Sequence, residues 1–132
     1  MNDDEIRDSD RKGSFRDLVV WQKSIDLVEV VYRTTQAFPV DERFGLISQM
    51  RRAAVSVPSN IAEGHARHTT GEFIRFVANA EGSIAELETH FVISQRLGFL
   101  GADHSAEGLL EEIRKMLNAL RRSLSRLRND AS

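Results

Sequence analysis

The sequence predicts an all-α fold, an antiparallel up-down-up-down four-helix bundle, and three observations carry that prediction. Four long stretches place apolar residues at alternating steps of three and four, the repeat of one helix face. The connections between them are short, roughly two to eight residues, as in bundles whose consecutive helices are neighbours. No stretch alternates apolar and polar residues between turn signals as a half-buried strand would.

Residues 1–14 lack periodicity and read as a disordered acidic tail, which leaves residues 15–128 as the bundle domain. The first helix has Leu18, Trp21, Ile25, Val28, Tyr32 and Thr35 as its seam. Phe38-Pro39 ends it, because proline cannot continue a helix and restricts the residue before it. The second run starts near Asp41, a plausible N-cap, with Leu46, Met50, Ala53, Val57 and Ile61 as its seam and Gly64 as its stop. Pro58 lies inside it, and two readings stand: a kinked helix, or one that stops near Val57 and restarts.

Thr69 or Thr70 caps the third helix, whose seam is Phe73, Val77, Ala80, Ile84, Leu87 and Phe91, closed by Gly98 and Gly101. Gly82 interrupts it and, with Ala78, Ser83 and Ala85, reads either as a patch for close helix approach or as a tolerated surface glycine. Asp103 or Ser105 starts the fourth helix, with Leu110, Ile113, Leu117, Leu120, Leu124 and Leu127 as its seam.

Composition narrows the function classes. With 132 residues and no cysteine, the chain makes one domain without disulfides, Cys-ligated zinc or a thiol nucleophile. The longest apolar run, Leu18–Trp21, is far too short to span a bilayer. The start, MNDDEIRDSD, is acidic where an export signal is basic and then apolar, so a cytoplasmic protein with no membrane partner is expected. The net charge of −2 is uneven: residues 1–14 hold five acids against three bases, and the rest carries 15 of each. Of the 18 basic residues 15 are arginine, the side chain suited to planar, paired recognition, although a GC-rich genome that favours arginine codons is the plainer explanation of the bias.

Three enzymatic readings of a helical bundle fail on residue type and spacing. A di-iron site needs Glu-x-x-His pairs, and the chain has none. His65 and His68 have metal-compatible spacing in HARH, but no third ligand accompanies them. Glu86 and His90, four apart, make an ordinary surface helix pair. No histidine follows an arginine at the four-to-six-residue spacing of helical ribonucleases, and no phosphate-cradling glycine loop occurs. A non-enzyme without cofactor or metal is expected.

The informative features are polar. Gln49, Arg52, Ser56, Asn60 and Glu63 form a stripe beside the second seam, and Glu81 and Glu88 flank the third. A half-buried member needs a partner, since an unsatisfied one costs on the order of 1–3 kcal/mol. An Arg52–Glu81 or Arg52–Glu88 pair, within the chain or between subunits, answers that need; a solvated face beside the core is the equal alternative. Off-seam Val20, Leu27, Val31, Ile47 and Ala54 provide apolar surface beyond one seam per helix and predict oligomerisation. The fourth helix carries Arg114, Lys115, Arg121, Arg122, Arg126 and Arg128 against Asp130 near its end. The helix dipole favours such cations, and their joint field also suits phosphates. Arg114, Arg121 and Arg128 run beside the leucine seam and Lys115, Arg122 and Arg126 point away from it.

The stretches FPVDERFGLISQMRRAAVSVPSNIAEG (38–64) and EFIRFVANAEGSIAELETHF (72–91), with FRDLVVWQKSIDL before them, resemble one family from about Phe15 to Leu127. It is the bacterial four-helix bundle family encoded by intervening sequences of 23S ribosomal RNA genes, often labelled ribosomal protein. The family also resembles the accessory variability protein of diversity-generating retroelements. His90 stands where glutamine is more usual, and the acidic tail has no counterpart. The resemblance implies a homopentamer without enzymatic activity and, in the retroelement branch, a reverse transcriptase as partner. It marks Gln49, Arg51, Arg52, Ser56, Asn60, Ile61, Ala62, Glu63, Gly64, Glu81, Gly82, Ser83, Glu86 and Glu88 without assigning their roles.

Two functions are therefore expected. One is an oligomeric scaffold that binds RNA, DNA or a ribonucleoprotein through Arg114, Lys115, Arg121, Arg122 and Arg126. The other is a protein-interaction module without nucleic-acid contact, its polar stripe serving assembly alone. The charge balance of the body favours the second, and the clustered bases of the fourth helix favour the first.

Overall fold

The computed structural model describes residues 13–101 and 106–131; residues 1–12 of the acidic tail and the caps expected at Asp103 or Ser105 lie outside this range. Four long helices make up the described residues, α1 (Val19–Thr35), α2 (Leu46–His65), α3 (Thr70–Arg96) and α4 (Ala106–Ala131), and none of these residues forms a strand. Helix α1 packs on α2 and α4, and α3 packs on the same two helices, so the four enclose one core. None of the described helices is long and apolar enough to cross a membrane.

Each boundary has a local cause. The last residues of the expected tail are ordered against the bundle: Ser14 caps a 3-10 turn at Phe15–Asp17, and the Asp17 carboxylate accepts from Ser14 N–H in return. The second helix does not begin at Asp41. After Pro39 the amides of Glu42, Arg43 and Gly45 each bond three residues back, a tighter winding that delays the α-helix until Leu46. Thr69 caps α3 through the Glu72 amide, as expected, and Gly98 ends it with φ of +78°.

Helix α2 runs unbroken through buried Pro58, so the restart reading is wrong. Gly64 is not its stop. It lies inside the helix, where an added Cβ would sit 2.8 Å from both Phe73 Cδ1 and Phe76 Cβ. Absence of a side chain here lets α2 and the start of α3 approach closely. Gly82 behaves oppositely, exposed and with nothing within 4 Å of an added Cβ.

The core confirms three seams and corrects one. The α3 seam is buried throughout; Met50, Ala53, Val57 and Ile61 of α2 and Leu110, Ile113, Leu117 and Leu124 of α4 are buried, with Leu46, Leu120 and Leu127 at the margin. On α1 the buried face is Val20, Ser24, Leu27, Val31 and Thr35, whereas Leu18, Trp21, Ile25 and Val28 are half-buried and Tyr32 is exposed. Ser24 and Thr35 enter the core because their hydroxyls donate to the Val20 and Val31 carbonyls at 2.7 and 2.8 Å. Val20, Leu27, Val31, Ile47 and Ala54 are thus core residues, and the apolar surplus that predicted an interface does not lie on them.

Candidate interaction surface

The surplus lies one face away. Tyr32 at the end of α1, Phe44 in the α1–α2 connection and Val55 on α2 line a shallow depression of about 550 Å³ together with the buried Ile47 and with Arg43, Arg51 and Arg52. Phe44 is 85% exposed, the most open large apolar side chain among the described residues, and Val55 and Tyr32 are also exposed. No carboxylate lines this depression. Its exposed apolar and arginine side chains are of the kinds concentrated at the centres of protein interfaces.

Arg51 builds the depression. Its Nε donates to Thr35 Oγ1 at 2.9 Å, one Nη donates to the Tyr32 carbonyl at 3.4 Å, and its guanidinium stacks 4.5 Å from the Tyr32 ring centre. A cation there also suits the carbonyl end of α1. Arg43 stacks on Phe44 at 4.9 Å. Arg52 is exposed and, among the described residues, bonds only the Ser48 hydroxyl, at 3.1 Å.

Arg52 therefore does not pair with Glu81 or Glu88 inside the chain: it lies exposed beside Ser48, whereas those two carboxylates lie on the α4 side of α3. Glu81 instead accepts from Arg121 Nε at 2.6 Å, and the same guanidinium donates to Asn118 Oδ1 at 2.9 Å. That α3–α4 pair is half-buried, with side chains 24% and 39% exposed. The stripe divides. Ser56 bonds Ser83 Oγ at 2.5 Å across the α2–α3 contact, and Asn60 donates to the Ser56 carbonyl at 2.8 Å. Gln49, Arg52 and Glu63 are exposed, Glu63 paired with Arg67 at 4.0 Å.

The cations of α4 also divide. Arg121 is committed to Glu81, and Lys115 to Glu111 at 3.3 Å. Arg128 lies against the backbone of α3, its Cζ 3.4 Å from where a Cβ on Gly71 would stand. Arg122 and Arg126 are exposed, with no hydrogen bond or ion pair among the described residues.

Between α3 and α4 lies a second groove, about 260 Å³, lined by Glu88, Val92, Glu107, Leu110, Glu111 and Arg114 among others. Glu88 Oε1 is buried in it without a hydrogen-bond partner. His90 is no surface residue: its side chain is 7% exposed, Nδ1 has no partner, and Nε2 is 3.6 Å from Glu86. Burial lowers its pKa from the usual 6.5, opposed in part by the Glu86 charge. His65 is likewise buried, edge-on to Phe15 and Phe73, and no group of three metal-ligating side chains occurs among the described residues.

Sequence reasoning missed Tyr32, Arg43, Phe44 and Val55. The available signal was Phe44 itself, a large aromatic in a polar turn between two helices, where no core position calls for one. Comparison with known proteins gives one family: residues 16–119 match the family described as 23S rRNA-intervening sequence protein. No curated protein matches.

Proposed function

Because the chain belongs to the 23S rRNA-intervening sequence protein family, we propose that it is a non-enzymatic homo-oligomeric scaffold, a pentamer in its family's manner, acting in the cytoplasm. The observation that carries the reading is the exposed face of Tyr32, Phe44 and Val55 ringed by Arg43, Arg51 and Arg52. Leaving Phe44 alone in water forgoes about 2–3 kcal/mol of burial per copy, and a contiguous patch of this kind marks an interface. The bundle runs up-down-up-down. Support comes from the pairs Met50–Ser94, Ser56–Ser83 and Gly64–Phe73, whose numbers fall along α2 as they rise along α3.

The scaffold presents α4 to nucleic acid, RNA or DNA, alone or in a ribonucleoprotein with a reverse transcriptase. Arg122 and Arg126 support this, since they are exposed and unpaired among the described residues, whereas Arg121 and Lys115 are engaged. Repetition around a ring multiplies weak phosphate contacts, and binding through phosphates weakens steeply with salt. Light scattering at micromolar concentration tests assembly, and a mass of 14.9 kDa, one copy, would reject it. Retention of labelled RNA and DNA at low and moderate salt tests the second part. The wild type is expected to bind and Arg122→Glu/Arg126→Glu to lose binding with its fold intact. Absence of wild-type binding would leave a protein-interaction module, the reading that the neutral body of the chain favours.

A further inference from the structure

The α1–α2 depression and the α3–α4 groove are opposite in the balance of their charges. The α1–α2 depression has three guanidinium groups and no carboxylate in its lining, and Phe44 stands open beside them. The nearest acids in sequence, Asp41 and Glu42, belong to the turn before it. The α3–α4 groove has three carboxylates, Glu88, Glu107 and Glu111, against the single guanidinium of Arg114, and Val92 and Leu110 form its apolar part. Lys115 contacts Glu111 from outside the groove. Glu88 Oε1, buried there, still wants a donor.

We propose that the α3–α4 groove of one copy receives the Arg43–Phe44–Arg52 face of the next. The guanidinium groups of Arg43 and Arg52 meet the carboxylates of Glu88, Glu107 and Glu111, and Phe44 covers Val92 and Leu110. This inference rests on the assembly reading above and specifies its interface. The two surfaces differ, one belonging to α1 and α2 and the other to α3 and α4, so the contact is head-to-tail. Repeated by a rotation that closes, such a contact makes a ring without free ends. Apolar burial supplies affinity, and the charges fix which surface meets which. A nucleic acid on the basic face would satisfy its arginines but leave the three carboxylates of the α3–α4 groove without a cationic partner from outside the chain; a second copy answers both.

Charge reversal tests the pairing, with mass read by light scattering and helicity by circular dichroism. Arg43→Glu/Arg52→Glu and, separately, Glu107→Arg/Glu111→Arg are expected to reduce an oligomer to 14.9 kDa copies that remain helical. The chain carrying all four reversals is expected to recover the wild-type mass, because the complementarity is restored with its sign exchanged. Should a reversed chain fail to fold, Arg43→Gln/Arg52→Gln removes the same charge more gently and is expected to raise the dissociation constant at least tenfold. A monomeric wild type would overturn the assembly reading and this one together. An oligomeric wild type whose mass survives both double reversals would overturn this pairing alone. So would a folded quadruple variant that stays monomeric, or a basic-face variant that keeps its mass while losing RNA retention.

Discussion

Replacing Gly64 by alanine adds one methyl group where α2 and the start of α3 approach closely. In an open helical position that change stabilises by about 1 kcal/mol, because glycine gives up more backbone freedom on folding. Here the new carbon would meet Phe73 Cδ1 and Phe76 Cβ at 2.8 Å and Phe73 Cε1 at 3.4 Å. The Phe73 ring is a side-chain end that can tilt, but it is fully enclosed by the core. Phe76 Cβ is fixed to its backbone and yields only if α3 shifts. Overpacking of this kind costs about 1–3 kcal/mol, so with that gain subtracted Gly64→Ala should lose about 0–2 kcal/mol net. For a domain of this size that lowers the thermal midpoint by up to roughly 8 °C. Gly82→Ala is the internal control. It sits mid-helix in α3 with open space around it, so it should gain about 1 kcal/mol. Thermal melts of both variants by circular dichroism decide the matter. A Gly64→Ala chain as stable as Gly82→Ala would refute the close-approach argument.

Other expectations follow from the polar network. Arg121→Ala leaves Glu81 half-buried without its partner and should cost about 1–2 kcal/mol in urea unfolding, between the exposed and buried limits for ion pairs. Arg52→Ala, which loses only a bond to Ser48, should change protomer stability by less than about 0.5 kcal/mol; a loss equal to that of Arg121→Ala would reinstate a buried partner for Arg52. His90 has its pKa lowered by burial, so the unfolded chain takes up that proton first as the pH falls. Its contribution is complete above the unfolded value near 6.5 and declines below it, by at most about 1.4 kcal/mol per pH unit. His90→Gln should flatten the stability profile between roughly pH 5 and 7, and an unchanged slope would show that His90 takes up its proton alike in the folded and unfolded chains.

The fold was legible because each helix is long enough for its period to be read, and every residue of the α3 seam is buried, although Phe76, His90 and Ser94, which the seam left out, are buried beside it. Helix α1 was misread for a physical reason. Its apolar residues occupy two neighbouring faces, one through Trp21, Ile25 and Val28 and one through Val20, Leu27 and Val31. Periodicity gives the same score to both. What selects the second is packing, together with Ser24 and Thr35, polar by composition yet acceptable in the core once their hydroxyls bond their own helix. The partner of Glu81 was equally out of reach. Helical spacing places Arg52 and Arg121 beside apolar seams alike, and only the arrangement of α3 against α4 brings Arg121 to it. The polar stripe of α2 was half legible: Ser56 and Asn60 are spent on structure, while Arg52 faces outward from the exposed face that sequence did not foresee.

If the exposed face of Tyr32, Phe44 and Val55 joins one copy of the chain to another, Phe44 offers the cleanest handle on it. The side chain is 85% exposed, so Phe44→Asp removes little from the core and should leave the helical spectrum and the protomer's unfolding unchanged. At an interface it would place a carboxylate where an apolar ring is buried. Sedimentation of wild type and Phe44→Asp side by side at micromolar concentration is therefore the most direct test. A discrete oligomer is expected for the wild type and 14.9 kDa single copies for the variant. Identical masses for the two, at any value, would contradict it.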